Sequence, residues 1–106
     1  MNDTRRVDQL YVFISRMKDN PPPLDLSEDE MVKQHKIYLQ DLHDRKILVG
    51  SGSAKDENGK RYAGGVVVLR AGSLAEAQRI ASLEPYCREG QRAVEIIPWQ
   101  RTWFET

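Results

Sequence analysis

The chain has 106 residues, of which 40% are hydrophobic and 30% are charged, a balance typical of a globular protein rather than of a disordered tail. Sixteen basic residues balance sixteen acidic ones, so no excess of positive charge predicts binding to nucleic acid or to an anionic membrane. No apolar run approaches the length of a membrane-spanning helix, and a single cysteine, Cys87, excludes an internal disulfide. We therefore expect a cytoplasmic protein with no nucleic-acid or membrane partner.

The first predicted strand follows a short N-terminal extension, residues 1–9. Residues 10–17, LYVFISRM, form a nearly continuous run of apolar, mostly aromatic and β-branched side chains. Such a run is typical of a strand that is covered on both faces. The prolines of residues 21–23 follow this strand and predict a stiff, extended connector.

A helix is predicted to begin after Ser27. Ser27 and Glu30 have the spacing of a capping box, and the acidic first turn suits the positive end of a helix. The apolar side of this helix consists of Met31, Val32, His35, Tyr38, Leu39 and Leu42. His35 lies in the middle of that side, four residues, or about one helical turn, from both Met31 and Leu39. Two interpretations are open at this point: a packed core histidine, or an acid/base group that faces a pocket.

A hairpin is predicted in the middle of the chain. Residues 47–50 begin its first strand, and residues 64–69, GGVVVL, form the return strand. Between them, the polar segment 55–61, KDENGKR, is centred on Asn58-Gly59. That pair favours positive φ and predicts the turn of the hairpin.

A second helix and a last strand complete the chain. Ser73 opens the helix through another capping box. Pro85 ends it at about Leu83, because the residue before a proline is biased away from helical geometry. Residues 93–99, AVEIIPW, predict the last strand, and residues 100–106 form a C-terminal tail.

The predicted order of elements is strand, helix, strand, strand, helix, strand. It is typical of a ferredoxin-like α+β sandwich, a four-stranded antiparallel sheet with two helices on one face, and we expect one domain over residues 1–106. Two helices cover only one face of the sheet, yet the strands carry apolar residues on both faces. A second copy of the sheet is the simplest cover, so we expect a homodimer whose sheets pack face to face, roughly as a shared barrel.

The sequence contains no pattern typical of a metal or cofactor site. His35 and His43 are separated by a spacing that places their rings on different sides of a helix. Glycine-rich phosphate-binding motifs are absent. Cys87 has no adjacent histidine, so we interpret it as a loop thiol rather than as a nucleophile. We therefore expect neither a metal nor a cofactor.

Several short motifs, taken in order, resemble the YciI-like (YCII-related) family of the dimeric α+β barrel superfamily. They are HKIYLQDL on the first helix, ILVGSGSAKDENGKRYAGGVVVLRAGS across the hairpin, SLAEAQRIASLEPY on the second helix, and EIIPW in the last strand. The resemblance runs from about Leu10 to Trp99. It implies a pocket in each protomer, between the sheet and the helices.

The family usually pairs a helix histidine with an aspartate in an Asp-Pro motif after the second helix. His35 matches the histidine, and Glu84-Pro85 stands in the place of Asp-Pro, one methylene longer. The resemblance thus implies His35 and Glu84 as catalytic residues. Activities in the family include the dehydrochlorination of a chlorinated hydroxyhydroquinone, and superfamily relatives isomerise muconolactones or act as monooxygenases without metal or flavin.

The candidates for binding a small-molecule ligand are aromatic pocket walls, one arginine for an anionic substituent and two serines as hydrogen-bond donors. They are Tyr11, Phe13, Arg16, Tyr38, Ser51, Ser53, Tyr86 and Trp99. Two functions remain open. One is a cofactor-independent enzyme of lyase or isomerase type that transfers a proton on a small cyclic or aromatic acid. The other is a non-catalytic dimeric module that binds a small molecule or another protein.

Overall fold

The computed structural model describes residues 8–60 and 64–104. Its elements in chain order are β1 (Asp8–Met17), α1 (Glu28–Asp44), β2 (Leu48–Gly52), β3 (Gly65–Leu69), α2 (Leu74–Ser82), α3 (Pro85–Arg88) and β4 (Arg92–Arg101). Arg61 of the predicted turn, residues 1–7 of the predicted extension and residues 105–106 of the predicted tail lie outside the described residues. Among these elements no helix is both long enough and apolar enough to cross a membrane.

The four strands form one antiparallel sheet in the order β2-β3-β1-β4. The central strand β1 pairs with β3 on one side and with β4 on the other, so Phe13 lies between Val67 and Ile96. The core residues Leu42 of α1 and Ile80 of α2 pack with the face that carries Phe13. The predicted ferredoxin-like α+β sandwich is therefore confirmed, with the helices on one face of the sheet.

Both predicted helix starts are confirmed by their caps. The Ser27 hydroxyl accepts a hydrogen bond from the Glu30 backbone N–H at 3.1 Å. The Ser73 hydroxyl accepts one from the Glu76 backbone N–H, also at 3.1 Å. Each cap satisfies a backbone donor that lacks a partner within its helix, and together they fix where α1 and α2 begin.

The predicted turn at Gly59 is confirmed as well. Gly59 has φ 79°, a conformation that glycine adopts at little cost. The Asp56 carboxylate holds this turn by accepting hydrogen bonds from the backbone N–H groups of Asn58 and Lys60, both at 2.9 Å. A local side-chain cap of this kind is typical of aspartate in turns.

The short helix α3 was not predicted. Helix α2 ends at Ser82 as expected, and Glu84 has the extended backbone expected before a proline. Pro85, however, also occupies the first turn of a new helix, where its missing N–H costs nothing and its fixed φ suits helical geometry. The proline that ends one helix therefore begins the next, and Glu84 lies at the junction.

The two faces of the sheet have different surroundings. The face toward the helices carries Tyr11, Phe13 and Leu69, all of which are buried in the core. Because side chains alternate along a strand, the intervening residues point to the other face. Apart from Leu10, which is buried, the apolar ones in the register are Val12, Ile14, Val66, Val68, Ile97 and Trp99. They are half-buried or exposed, so this face presents an apolar surface.

Candidate active site

A cavity of about 370 Å³ lies between the sheet and the helices. All four strands and all three helices, together with Glu84, contribute residues to its wall. Its volume is in the range typical of small-molecule sites. The cavity therefore lies where the resemblance to the YciI-like family implies a pocket.

His35 and Glu84 meet at the wall of this cavity. The His35 Nδ1 atom lies 2.9 Å from the Glu84 Oε1 atom. The His35 side chain is 29% exposed and the Glu84 side chain 11%. His35 projects from the middle of α1, and Glu84 is held at the junction of α2 and α3. The geometry is that of a histidine oriented by a carboxylate, with the ring still open to the cavity.

The junction holds Glu84 in place through its own backbone. Glu84 is the N-cap of α3, and its Oε2 atom accepts a hydrogen bond from the Cys87 backbone N–H at 2.8 Å. Its Oε1 atom remains for His35. One oxygen of the carboxylate thus caps α3, and the other orients the histidine. The start of α3 therefore fixes the geometry of the pair.

Glu84 is ionised at neutral pH. Burial raises the pKa of its carboxyl group, but the hydrogen bonds from His35 and from the backbone N–H groups of Cys87 and Tyr86 outweigh burial and lower the pKa below its ordinary value. An ionised carboxylate only accepts hydrogen bonds, so Nδ1 of the neutral His35 ring carries the proton. Nε2 then holds a free electron pair, and it has no hydrogen-bond partner within the described part of the chain.

Tyr86 packs against the pair. Its ring and the His35 ring are arranged edge to face, with centroids 5.9 Å apart. Its hydroxyl group donates to a Glu28 carboxylate oxygen at 3.4 Å. Burial, followed by the Glu28 charge, raises the pKa of the Tyr86 phenol. Tyr86 is therefore a neutral aromatic wall beside the histidine.

Tyr38 also lines the cavity, but its hydroxyl group has a structural partner. It donates to the backbone carbonyl oxygen of Ile80 at 2.7 Å and so joins α1 to α2. Burial raises the pKa of the Tyr38 phenol, with a smaller contribution from the Glu84 charge. The ring can contact a ligand as an apolar wall, whereas the hydroxyl proton is already hydrogen-bonded to the Ile80 carbonyl oxygen.

The structure brings most of the predicted residues together. Phe13, Tyr38, Ser51, Ser53 and Tyr86 line the cavity with His35 and Glu84. Tyr11, Arg16 and Trp99 lie outside that lining.

Strand alternation explains why two of these residues, Arg16 and Trp99, lie apart from the cavity. Arg16 is on the face of β1 opposite to Phe13, and Trp99 is on the face of β4 opposite to Val94. Tyr11 is on the inner face but is buried in the core cluster. We therefore leave these three out of the proposed site.

Four charged or thiol-bearing residues of the cavity wall were not predicted as site residues. They are Glu28, Lys36, Cys87 and Arg92. The strand prediction began at Ala93, one residue too late to include Arg92. Extending it by one residue and following the alternation from Val94 would have placed Arg92 on the inner face. Among residues 8–60 and 64–104, no three side chains of His, Cys, Asp or Glu type form a group that could hold a metal ion.

Cys87 is expected to react slowly with alkylating agents in the folded chain. Burial, with smaller contributions from the Glu84 charge and its hydrogen bond, raises the pKa of the thiol to about 12. At about pH 8 only about one thiol in 10⁴ would be ionised, and the thiolate is the reactive form. Alkylation by iodoacetamide, followed by mass spectrometry, should be about 10³-fold slower without urea than in urea, where the thiol has its ordinary pKa. Equal rates in the two conditions would contradict this environment for Cys87.

Comparisons with known proteins agree with the fold and with the resemblance. The sequence matches the model of the YCII-related domain over residues 10–100. A similar solved structure is 5-chloro-2-hydroxyhydroquinone dehydrochlorinase from Burkholderia phenoliruptrix AC1100 in complex with 2,5-dihydroxybenzoquinone. It is 19% identical, the match covers 85% of this chain and 92% of that chain, and the TM-score is 0.59, which shows a shared fold.

No curated protein matches the sequence at a significant level. The match to the domain model nevertheless includes most of β1, the helices and nearly all of β4. The chain therefore belongs to the YCII-related family.

Proposed function

We propose that the chain is a small enzyme of lyase or isomerase type that transfers a proton on a small cyclic or aromatic acid, with His35 as general acid/base and Glu84 as its partner. The observation that carries this proposal is the 2.9 Å hydrogen bond between His35 Nδ1 and Glu84 Oε1 at the wall of a 370 Å³ cavity. A carboxylate that accepts a hydrogen bond from one ring nitrogen fixes the tautomer of the neutral imidazole, so that the other nitrogen is unprotonated. It also stabilises the imidazolium form.

The reaction begins with proton transfer to His35. Nε2 accepts a proton from a carbon or oxygen atom of the substrate, and Glu84 stabilises the positive charge that forms on the ring. The electron pair of the broken bond then forms a new double bond while a leaving group departs with its own electron pair, which is an elimination. Alternatively the double bond shifts and the proton returns at another atom, which is an isomerisation. Neither course needs a redox cofactor.

The similar structure supports the aromatic substrate class. That protein is a dehydrochlorinase of 5-chloro-2-hydroxyhydroquinone, and its structure contains a quinone of one ring. Phe13, Tyr38 and Tyr86 give the cavity of this chain aromatic walls suited to a single ring. A chlorinated hydroxyhydroquinone and a muconolactone are therefore the first substrates to test.

Replacing His35 with Gln is expected to lower turnover strongly without unfolding the chain. Glutamine keeps a polar group of similar reach but has no basic nitrogen, so the proton transfer is lost, with a rate decrease of about 10²- to 10⁴-fold. Chloride release from 5-chloro-2-hydroxyhydroquinone, or lactone conversion followed by absorbance, measures the effect.

The matched control is His43→Gln, which changes an exposed histidine on the same helix outside the cavity lining. It should leave turnover unchanged. Full turnover by His35→Gln would refute the catalytic role of His35. Binding of these compounds by the wild-type chain with no turnover would favour the non-catalytic module instead.

We further propose that a second copy of the chain covers the open face of the sheet. This face carries Val12, Ile14, Val68, Ile97 and Trp99, and among the described residues none of these five belongs to the core cluster that the helices form with the inner face. Trp99→Ala should shift the dimer toward monomer in sedimentation velocity at micromolar concentration, because aromatic anchors dominate such interfaces. Trp103→Ala, an exposed tryptophan beyond the end of β4, is the control. A wild-type monomer would contradict the assembly.

A further inference from the structure

Arg92 gives the cavity a positive charge that forms no ion pair with a carboxylate of the described residues. It is the first residue of β4, and it lies on the inner face of the sheet with Val94. Its guanidinium carbon lies 4.1 Å from the centre of the Tyr86 ring, and its Nε atom donates to the Met17 sulfur atom at 3.3 Å. A guanidinium has five N–H donors, so most of the donors of Arg92 remain available.

The carboxylates of the cavity wall do not neutralise Arg92. No ion pair joins Arg92 to a carboxylate in the part of the chain that the structure describes. Glu84 is already occupied by His35 and by the Cys87 backbone N–H. Glu28 accepts from the Tyr86 hydroxyl group. A partly buried cation without an ionic partner is a binding group for an anion that arrives from solution.

The position of Arg92 determines where a bound anion would lie with respect to His35. Arg92 stacks on the face of Tyr86, whereas the Tyr86 ring meets the His35 ring edge to face. Guanidinium and imidazole thus lie against the same aromatic ring, on the wall of the same cavity. A one-ring ligand whose anionic group is held by Arg92 would therefore have its ring in the same cavity as His35.

We propose that Arg92 is the substrate-binding residue for an anionic group, and that the cavity selects one-ring anions, such as aromatic carboxylates and phenolates, over their uncharged analogues. This inference rests on the proposed function of the cavity, because it assumes that the ligand enters there. It assigns the anion-binding role to Arg92 instead of to Arg16, which is exposed on the opposite face of the sheet.

The test is the binding of two probes of the same size and shape, the anionic 2,5-dihydroxybenzoate and the uncharged 2,5-dihydroxybenzamide, measured by titration calorimetry. The wild-type chain should bind the carboxylate more tightly than the amide. Arg92→Gln should weaken carboxylate binding by about 10- to 100-fold and leave amide binding unchanged, because a charge-assisted hydrogen bond is lost. Arg92→Lys, which keeps the charge but not the planar fork, should restore part of the affinity.

Two controls separate charge from a loss of structure. Arg88→Gln removes an exposed arginine of α3 that lies outside the cavity lining, and it should not change the affinity for either probe. Added salt should weaken carboxylate binding to the wild-type chain more than to Arg92→Gln, in which Lys36 is the lysine or arginine left in the cavity lining. If Arg92→Gln weakens both probes equally, Arg92 supports only the position of Tyr86, and the proposal is overturned.

The same experiments distinguish this proposal from the proposed function. Unchanged carboxylate affinity in Arg92→Gln, together with lost turnover in His35→Gln, refutes the role of Arg92 alone. Weakened carboxylate affinity in Arg92→Gln, with full turnover in His35→Gln, supports Arg92 and refutes the catalytic histidine. A wild-type chain that binds neither probe overturns the proposal for Arg92.

Discussion

Replacing Glu84 with Gln is expected to lower turnover by about 10²- to 10⁴-fold while the chain stays folded. The donors around Glu84 explain why an isosteric amide fails. Its two carboxylate oxygens accept from His35 Nδ1 and from the Cys87 backbone N–H. An amide offers only one oxygen, and its NH₂ group cannot accept. If the amide oxygen stays with Cys87, the NH₂ group faces His35 and donates to Nδ1. This favours the tautomer with the proton on Nε2, and a protonated Nε2 cannot act as the base.

The measurement is turnover in the assay used for His35, with two comparison variants. Glu84→Asp keeps the charge but is one methylene shorter, so it should retain more turnover than Glu84→Gln. Glu89→Gln changes a carboxylate at the C-terminal end of α3 outside the cavity lining, and it should be neutral. If Glu84→Gln is as active as the wild-type chain, the carboxylate does not orient His35 for catalysis.

The same residue gives stability a pH dependence of known sign. The pKa of Glu84 is lower in the folded chain than its ordinary value of 4.5. The ionised carboxylate therefore stabilises the folded state above that value, and the stabilisation is lost as the pH falls through the folded pKa. The stability difference between the wild-type chain and Glu84→Gln in urea unfolding should accordingly shrink on acidification. A constant difference would contradict the lowered pKa.

Truncating Leu42 should destabilise the chain most among the single substitutions considered. Leu42 is 1% exposed and packs in the core cluster with Phe13 and Ile80. Leu42→Ala removes buried methyl groups and leaves a void, at a cost of about 2–5 kcal/mol. That corresponds to a fall in Tm of more than about 8 °C for a chain of this size.

The control for Leu42 lies on the same helix. Ile37 is 60% exposed, so Ile37→Ala should change the free energy of unfolding by less than about 1 kcal/mol. Both variants must be compared at one protein concentration, because an assembly would make Tm depend on concentration. A cost for Leu42→Ala as small as that of Ile37→Ala would mean that α1 does not pack its predicted face on the sheet.

Features set by local interactions could be predicted from the sequence. Ser27 and Ser73 begin helices through a hydrogen bond to a residue three positions away, and Gly59 sets its turn through its own φ. Strand alternation is equally local. Applied consistently, it would have placed Arg92 on the inner face of the sheet and Arg16 and Trp99 on the outer one.

The His35–Glu84 contact could not be predicted in this way. The two residues are 49 positions apart, and periodicity shows only that His35 is on the inner side of α1. The resemblance to the YciI-like family implied the pairing, and the fold supplies the distance. The four-residue helix α3 was missed because it contains too few residues to show helical periodicity, although Pro85 and the capping Glu84 are typical of a helix start.

The cap of α3 has a practical consequence for finding ligands. The Cys87 amide proton points at the carboxylate that also holds His35. The resonance of this single backbone proton depends on the charge of Glu84, and its exchange with solvent depends on whether the cap is intact. In an isotope-labelled sample it would act as a built-in spectroscopic indicator of the His35–Glu84 pair. Compounds that enter the cavity could then be ranked by magnetic resonance before any product of the reaction is known.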